Sequence, residues 1–200
     1  MQIPPMLKFK IGYTYIEIHF SFLAIIAILM SLGEKEILVL SIIAAIFHEM
    51  GHLLFMYLFK AKIDNIIFYA AGIKIRYKDG EKMKTYKEIL IILGGIFINL
   101  ILAGILYTVV DKPFILSDFM LVNFSLAIFN LVPVKFFDGG RLLKLFYKKI
   151  THSDFKTAMI ENTISCIFII SILILAFLLR ITNISLYVTL LYFLFAVFIM

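Results

Sequence analysis

Residues 47–52 read Phe-His-Glu-Met-Gly-His. His48 and His52 are four residues apart, so on a helix they lie one above the other on the same face. Two imidazoles stacked in this way can bind one divalent ion. Glu49 is rotated about 100° from His48 and so sits beside that position, where a carboxylate can take a proton from water. This is the H-E-x-x-H pattern of zinc hydrolases. It is embedded in the apolar run LVLSIIAAIFHEMGHLLFMYLF. An ionisable residue in mid-span costs about 2.5–3.5 kcal/mol on insertion scales, and such residues mark function. The plainer alternative is a pair of histidines bonded to neighbouring helices or headgroups. It does not explain three ionisable groups gathered halfway along one span.

Two ligands are too few, because a catalytic zinc has three protein ligands and a water. His19 precedes an apolar core and His152 lies in a polar loop, so both read as interfacial or solvated. The better third ligand is Asp138, in NLVPVKFFDGGRLL, residues 130–143. It is a hard oxygen donor at a span end, followed by Gly139 and Gly140, which permit a turn and a close backbone approach. Pro133 should break the preceding helix and let the chain bend back. Taken alone, Asp138 would be an ordinary cap of the helix RLLKLFYKK. Beside HEMGH, the ligand reading is stronger.

The elements that must position these groups are membrane spans. Of the 200 residues, 63% are hydrophobic and only 16% charged, against about 25% charged in a soluble domain. Six apolar segments stand out, roughly Ile16–Leu32, Ile37–Phe59, Ile89–Val110, Phe119–Val134, Thr163–Leu179 and Ile184–Met200. Crossing about 30 Å of hydrocarbon takes roughly 20 helical residues; the second and third segments meet that, and the others are short. Lys8 and Lys10 precede the first segment, and eight Lys or Arg residues between Lys60 and Lys87 follow the second. Arg141, Lys144, Lys148, Lys149 and Lys156 follow the fourth. The intervening connections carry few positive charges. By the positive-inside rule both termini lie in the cytosol, after an even number of crossings.

The stretch from Lys8 to Phe20, and residues 64–80, are rich in β-branched and aromatic residues. They read as short interfacial strands, the second ending in an Asp79-Gly80 turn. No A-x-A cleavage site follows the first segment, so it reads as a retained span rather than a signal peptide. Cys166 is the only cysteine, so no intrachain disulfide is possible. The expectation is an all-α membrane protein: a single polytopic domain over residues 1–200, with six transmembrane helices and short interfacial β-strands. The +6 formal charge then reports orientation rather than a nucleic-acid partner.

HEMGH in the second segment, followed by N-x-x-P-x-x-x-x-D-G-G near the fourth, resembles the site-2 protease family of intramembrane zinc metalloproteases. Within it, the likeness is greatest to the stage IV sporulation protein FB type. The resemblance implies that His48, His52 and Asp138 hold Zn2+, that Glu49 is the general base, and that Asn130 helps to position substrate. Gly94, Gly95 and Asn99 partly match the family's G-P-x-x-N, with Ile96 in place of proline. They are read as residues that pack and bond helices, not as catalytic ones.

The implied activity is cleavage of a membrane-associated or transmembrane protein, such as a sporulation pro-sigma factor. Leu53–Phe59 cover only about 10 Å of helix, which places the cut near the cytosolic face. The resemblance also gives the residue 64–80 strands a use, as an edge that pairs with an unwound substrate segment. The chain stops at Met200, without the C-terminal nucleotide-sensing domain of many sporulation-type relatives. Regulation is therefore expected from a membrane inhibitor protein. The localisation implied is multi-pass, in a bacterial cytoplasmic-type membrane. Two other functions fit parts of the pattern. One is a transporter or ion pathway using the His/Glu cluster; the other is a zinc membrane hydrolase acting on something other than peptide.

Overall fold

A computed structural model describes residues 6–32, 35–69, 72–77, 83–109 and 113–199. The expected Asp79-Gly80 turn and the Asp111-Lys112 connection lie outside the described residues. The chain divides into two compact units, Met1–Ile128 and Phe129–Met200.

In the first unit, strands β1 (Leu7–Ile11) and β2 (Thr14–Ile18) form a hairpin, followed by helices α1 (Phe20–Leu32) and α2 (Lys35–Leu58). Strands β3 (Ile63–Tyr69) and β4 (Gly72–Tyr77) come next, then helices α3 (Thr85–Thr108) and α4 (Phe114–Leu131), the last running into the second unit. The sheet order is β1-β2-β3-β4, with β2 and β3 parallel and the outer pairs antiparallel. Gly12, at φ +60°, makes the tight β1–β2 turn that a side chain would strain. Ile16 and Ile18, counted in the first apolar segment, are therefore strand. Period-two alternation explains why. Leu7, Phe9, Ile11, Ile16, Ile18, Ile66, Phe68, Ile73 and Ile75 fall on one face by register. Phe22 of α1 meets that face edge-on at Phe68, centroids 5.3 Å apart. The opposite face carries polar pairs around the buried Ile67: Lys8 pairs with Glu17 at 2.7 Å, and Asn65 donates to the same carboxylate at 3.3 Å. The hydrogen bond from Lys8 to Glu17 holds that ammonium above its usual range.

Helices α2 and α3 cross at backbone contact. A Cβ on Gly51 would collide with the Gly94 carbonyl, and one on Gly94 would lie 2.6 Å from the Gly51 oxygen. Small residues permit this approach, which membrane helices use in place of hydrophobic burial. Helix α2 ends in a Schellman motif: Lys60 takes φ 56°, Lys60 N–H donates to Tyr57 O, and Ala61 N–H donates to Met56 O.

The second unit holds the end of α4 and helices α5 (Asp138–Thr151), α6 (Asp154–Leu178) and α7 (Ile184–Ile199). Helix α4 stops at Leu131, two residues before Pro133, and the chain turns back on itself. Val134 N–H donates to Val132 O and Phe137 N–H to Val134 O. Val134, Ile169, Leu190 and Val197 form the core here, and Phe136 and Phe137 flank Phe193.

Among the described residues, four helices, α2, α3, α4 and α6, are long and apolar enough to cross a membrane. Helices α1 and α7 have 13 and 16 residues, about 20 and 24 Å by helical rise.

Candidate metal centre

HEMGH lies within α2, where the sequence expects it, and His48 and His52 are 5% and 4% exposed. Burying an imidazole demands partners for its ring nitrogens, and helix α3 supplies one for the Nδ1 of each. His52 Nδ1 lies 2.8 Å from the Ile91 carbonyl oxygen. A carbonyl can only accept, so this nitrogen carries the proton; the second lone pair of Ile91 O leaves its helical role intact. His48 Nδ1 lies 2.7 Å from Asn99 Oδ1. With both Nδ1 atoms donating, both Nε2 atoms of the neutral rings are unprotonated, and they face one another at 3.2 Å. Two lone pairs so placed can share one cation. The donor set, two neutral imidazole Nε2 atoms with their Nδ1–H groups anchored, fits a zinc-type ion.

Gly95 makes room for this arrangement. A Cβ there would stand 2.7 Å from His48 Cε1, 2.7 Å from His52 Nε2 and 2.8 Å from His48 Nδ1. So the Gly94-Gly95 pair has two separate tasks: Gly94 lets the helices touch, and Gly95 leaves room for the two imidazoles, which meet edge to face at 88°. Glu49, the next residue on α2, is half-buried.

Asn99, read from the sequence as a residue that bonds across helices, is fully buried. It donates to Ala44 O at 3.2 Å and to Asn123 Oδ1 at 2.7 Å. Asn123, also fully buried, donates to Phe119 O at 2.8 Å. Sequence reasoning missed Asn123. The signal available was an amide inside an apolar span, seven residues and so two helical turns before Asn130.

The remaining expected site residues belong to the second unit. Asn130 is half-buried, one residue before the end of α4. Asp138 is 5% exposed. It is the first residue of α5 rather than its cap, a place taken by Phe137. Its Oδ1 accepts from Arg141 at 3.1 Å, which fixes the carboxylate. Gly139 and Gly140 seat α5 on the returning chain: a Cβ on Gly139 would meet Leu131 O, and one on Gly140 would meet Val134 O.

The sequence matches Peptidase family M50 over residues 36–117 and 112–175, so the chain belongs to that family, the site-2 protease family. Family and apolar helices together make it an integral membrane protein. It is similar to zinc metalloprotease MJ0392 of Methanocaldococcus jannaschii, 26% identical over 156 residues. That alignment covers 70% of this chain and 45% of the relative, so the chain spans about half the relative's length. The fold is similar to that of the site-2 protease from Methanocaldococcus jannaschii. The TM-score is 0.69 at 23% identity, covering 96% of this chain and 93% of that one.

Proposed function

We propose that the protein is a zinc endopeptidase that cleaves a membrane-associated or transmembrane protein near the cytosolic face. The observation that carries this is the pair of anchored, buried imidazoles with Nε2 atoms 3.2 Å apart, in a chain of Peptidase family M50. His48, His52 and Asp138 would hold the ion; Asp138 completes the donor set chemically as a buried carboxylate steadied by Arg141. Bound zinc supplies Lewis-acid activation of water and of the scissile carbonyl. Glu49 takes a proton from the attacking water at its carboxylate and returns it to the leaving amide nitrogen. Asn130, an amide near the end of α4, positions the substrate backbone. An unwound substrate segment adds to the edge of β4, since among the described residues the sheet order leaves β1 and β4 as edge strands.

Six crossings with both termini cytosolic follow from the alternation of Lys/Arg along the chain, with α1 and α7 thinning the bilayer locally. Residues 1–200 act as one proteolytic domain in a bacterial cytoplasmic-type membrane. A pro-sigma factor as substrate, and occlusion by a membrane inhibitor protein, are supported by the motif resemblance to the sporulation-type proteases alone. Zinc per chain in detergent, for wild type and His48→Ala, tests the metal. About one in wild type and little in the variant is expected. Cleavage of co-expressed membrane proteins, with Glu49→Gln as control, tests the chemistry: the variant keeps its metal and loses turnover. A Glu49→Gln protein that still cleaves removes the general-base assignment. A wild type without zinc brings the ion-pathway reading forward.

A further inference from the structure

The amides behind the histidines form a chain with a single allowed direction. It starts from two backbone carbonyls, which can only accept. Phe119 O faces Asn123 at 2.8 Å, so the NH2 of Asn123 points there and its Oδ1 points the other way, toward Asn99. Ala44 O faces Asn99 at 3.2 Å, so the NH2 of Asn99 points at Ala44. Its second N–H meets Asn123 Oδ1 at 2.7 Å. Turning Asn99 over would set oxygen against oxygen at Ala44 and at Asn123; turning Asn123 over would set oxygen against Phe119 O and its NH2 against that of Asn99. With both N–H groups of Asn99 committed, only its Oδ1 remains to face His48 Nδ1, at 2.7 Å. That oxygen cannot donate, so the imidazole must. Both asparagines are 0% exposed, so water does not offer the ring an alternative partner.

From this geometry we infer that Asn123 and Asn99 are positioning residues. They form a one-way relay that holds His48 with its proton on Nδ1 and its Nε2 lone pair turned toward His52, ready for a divalent metal. The inference deepens the zinc reading and rests on it for its purpose, though not for its geometry. The two histidines are fixed by different means. His52 uses a main-chain carbonyl of α3, which no side-chain substitution removes. His48 uses two side chains from two helices, α3 and α4, so its orientation depends on residue identity as far away as Asn123. Asn123 touches neither metal nor substrate. It acts by spending the second N–H of Asn99, which otherwise leaves a buried donor unpaired and the amide free to swing off the ring.

The test is zinc affinity by chelator competition on the whole chain in detergent. Asn123→Leu, Asn99→Leu and Asn99→Asp are compared with wild type. Alongside it, ring-15N spectra of histidine-labelled, chelated protein are taken at one fixed alkaline pH. Loss of an outer-shell partner typically weakens metal binding 10–100-fold. Both Leu variants are expected in that range, Asn123→Leu toward its lower end. Asn99→Asp keeps an oxygen for His48 Nδ1–H, and its other oxygen, facing the acceptors Ala44 O and Asn123 Oδ1, fits only as a protonated O–H donating to one of them; in that form it should bind about tenfold more tightly than Asn99→Leu. The spectra should show His48 protonated on Nδ1 in wild type and as a mixture of tautomers in the Leu variants, a change that a packing role alone would not produce. Wild-type affinity together with a single Nδ1–H tautomer in Asn123→Leu overturns the relay. So does a wild type with the proton on Nε2, whether or not zinc binds. A wild type that holds no zinc yet shows His48 as Nδ1–H removes the metal reading and supports the relay. Should a Leu variant fail to fold, the wild-type tautomer and the Asn99→Asp comparison decide.

Discussion

Adding one methyl group at Gly95 tests whether α3 forms the floor of the metal centre. In Gly95→Ala the new Cβ would stand 2.7 Å from His48 Cε1 and His52 Nε2, and 2.8 Å from His48 Nδ1. Carbon contacts are comfortable from about 3.5 Å, so both rings must retreat by roughly 0.8 Å. The rings cannot retreat independently of their anchors. A retreat of that size stretches the 2.7 Å bond from His48 to Asn99 toward about 3.5 Å, where it no longer counts as one. The overpacking costs about 1–3 kcal/mol of stability. A misplacement near 1 Å costs turnover about 10²-fold, and zinc affinity should fall about 10–100-fold with the lost outer-shell bond. The assay is chelator competition and cleavage of a co-expressed substrate. Gly104→Ala serves as the matched control on the same helix. Nothing lies within 4 Å of a Cβ at Gly104, so that change should leave zinc and cleavage alone and add up to about 1 kcal/mol of helix stability. If Gly95→Ala binds zinc and cleaves like Gly104→Ala, the rings do not rest on α3 and the argument fails.

Two further substitutions probe the scaffold. Gly51→Ala places a Cβ against the Gly94 carbonyl, backbone that cannot step aside; the α2–α3 crossing must open, lowering the thermal midpoint and zinc content together, whereas intact zinc binding would show that the crossing tolerates separation. Gly140→Ala drives a Cβ into the Val134 carbonyl, lifting the start of α5 and with it Asp138. Cleavage should fall at least tenfold, as for a misplaced ligand, with His48 and His52 still able to hold metal weakly; full activity would mean that α5 need not seat on the returning chain.

The candidate site was legible in the sequence wherever chemistry and helical period coincide. His48 and His52 are visible because four-residue spacing fixes one face, and because charge in an apolar span is costly. Pro133 announces the end of α4 and the glycine pair after Asp138 announces a close approach, and both are found. The strands were legible from alternation, but their boundary with the first apolar segment was not. Ile16 and Ile18 are as apolar as a span requires, and only pairing with Phe9 and Leu7 makes them strand. Asn123 was illegible for a different reason. Its importance lies in where α4 meets α3, a tertiary fact that no local pattern encodes.

The same distinction explains why the partial G-P-x-x-N match was hard to weigh. Ile96 in place of proline leaves α3 unbroken from Thr85 to Thr108, so the motif's use here cannot be a kink. What remains is a sequence of small-residue permissions along one helix face. Gly94 admits the backbone of Gly51. That contact brings α2 near enough for Gly95 to receive both imidazoles. One turn further on, Asn99 meets His48 Nδ1 and the Ala44 carbonyl together. Each step depends on the one before it, since a hydrogen bond of 2.7 Å does not survive helices an ångström further apart. Packing with no chemical character of its own thus brings His48 to the amide oxygen that fixes which of its nitrogens carries the proton.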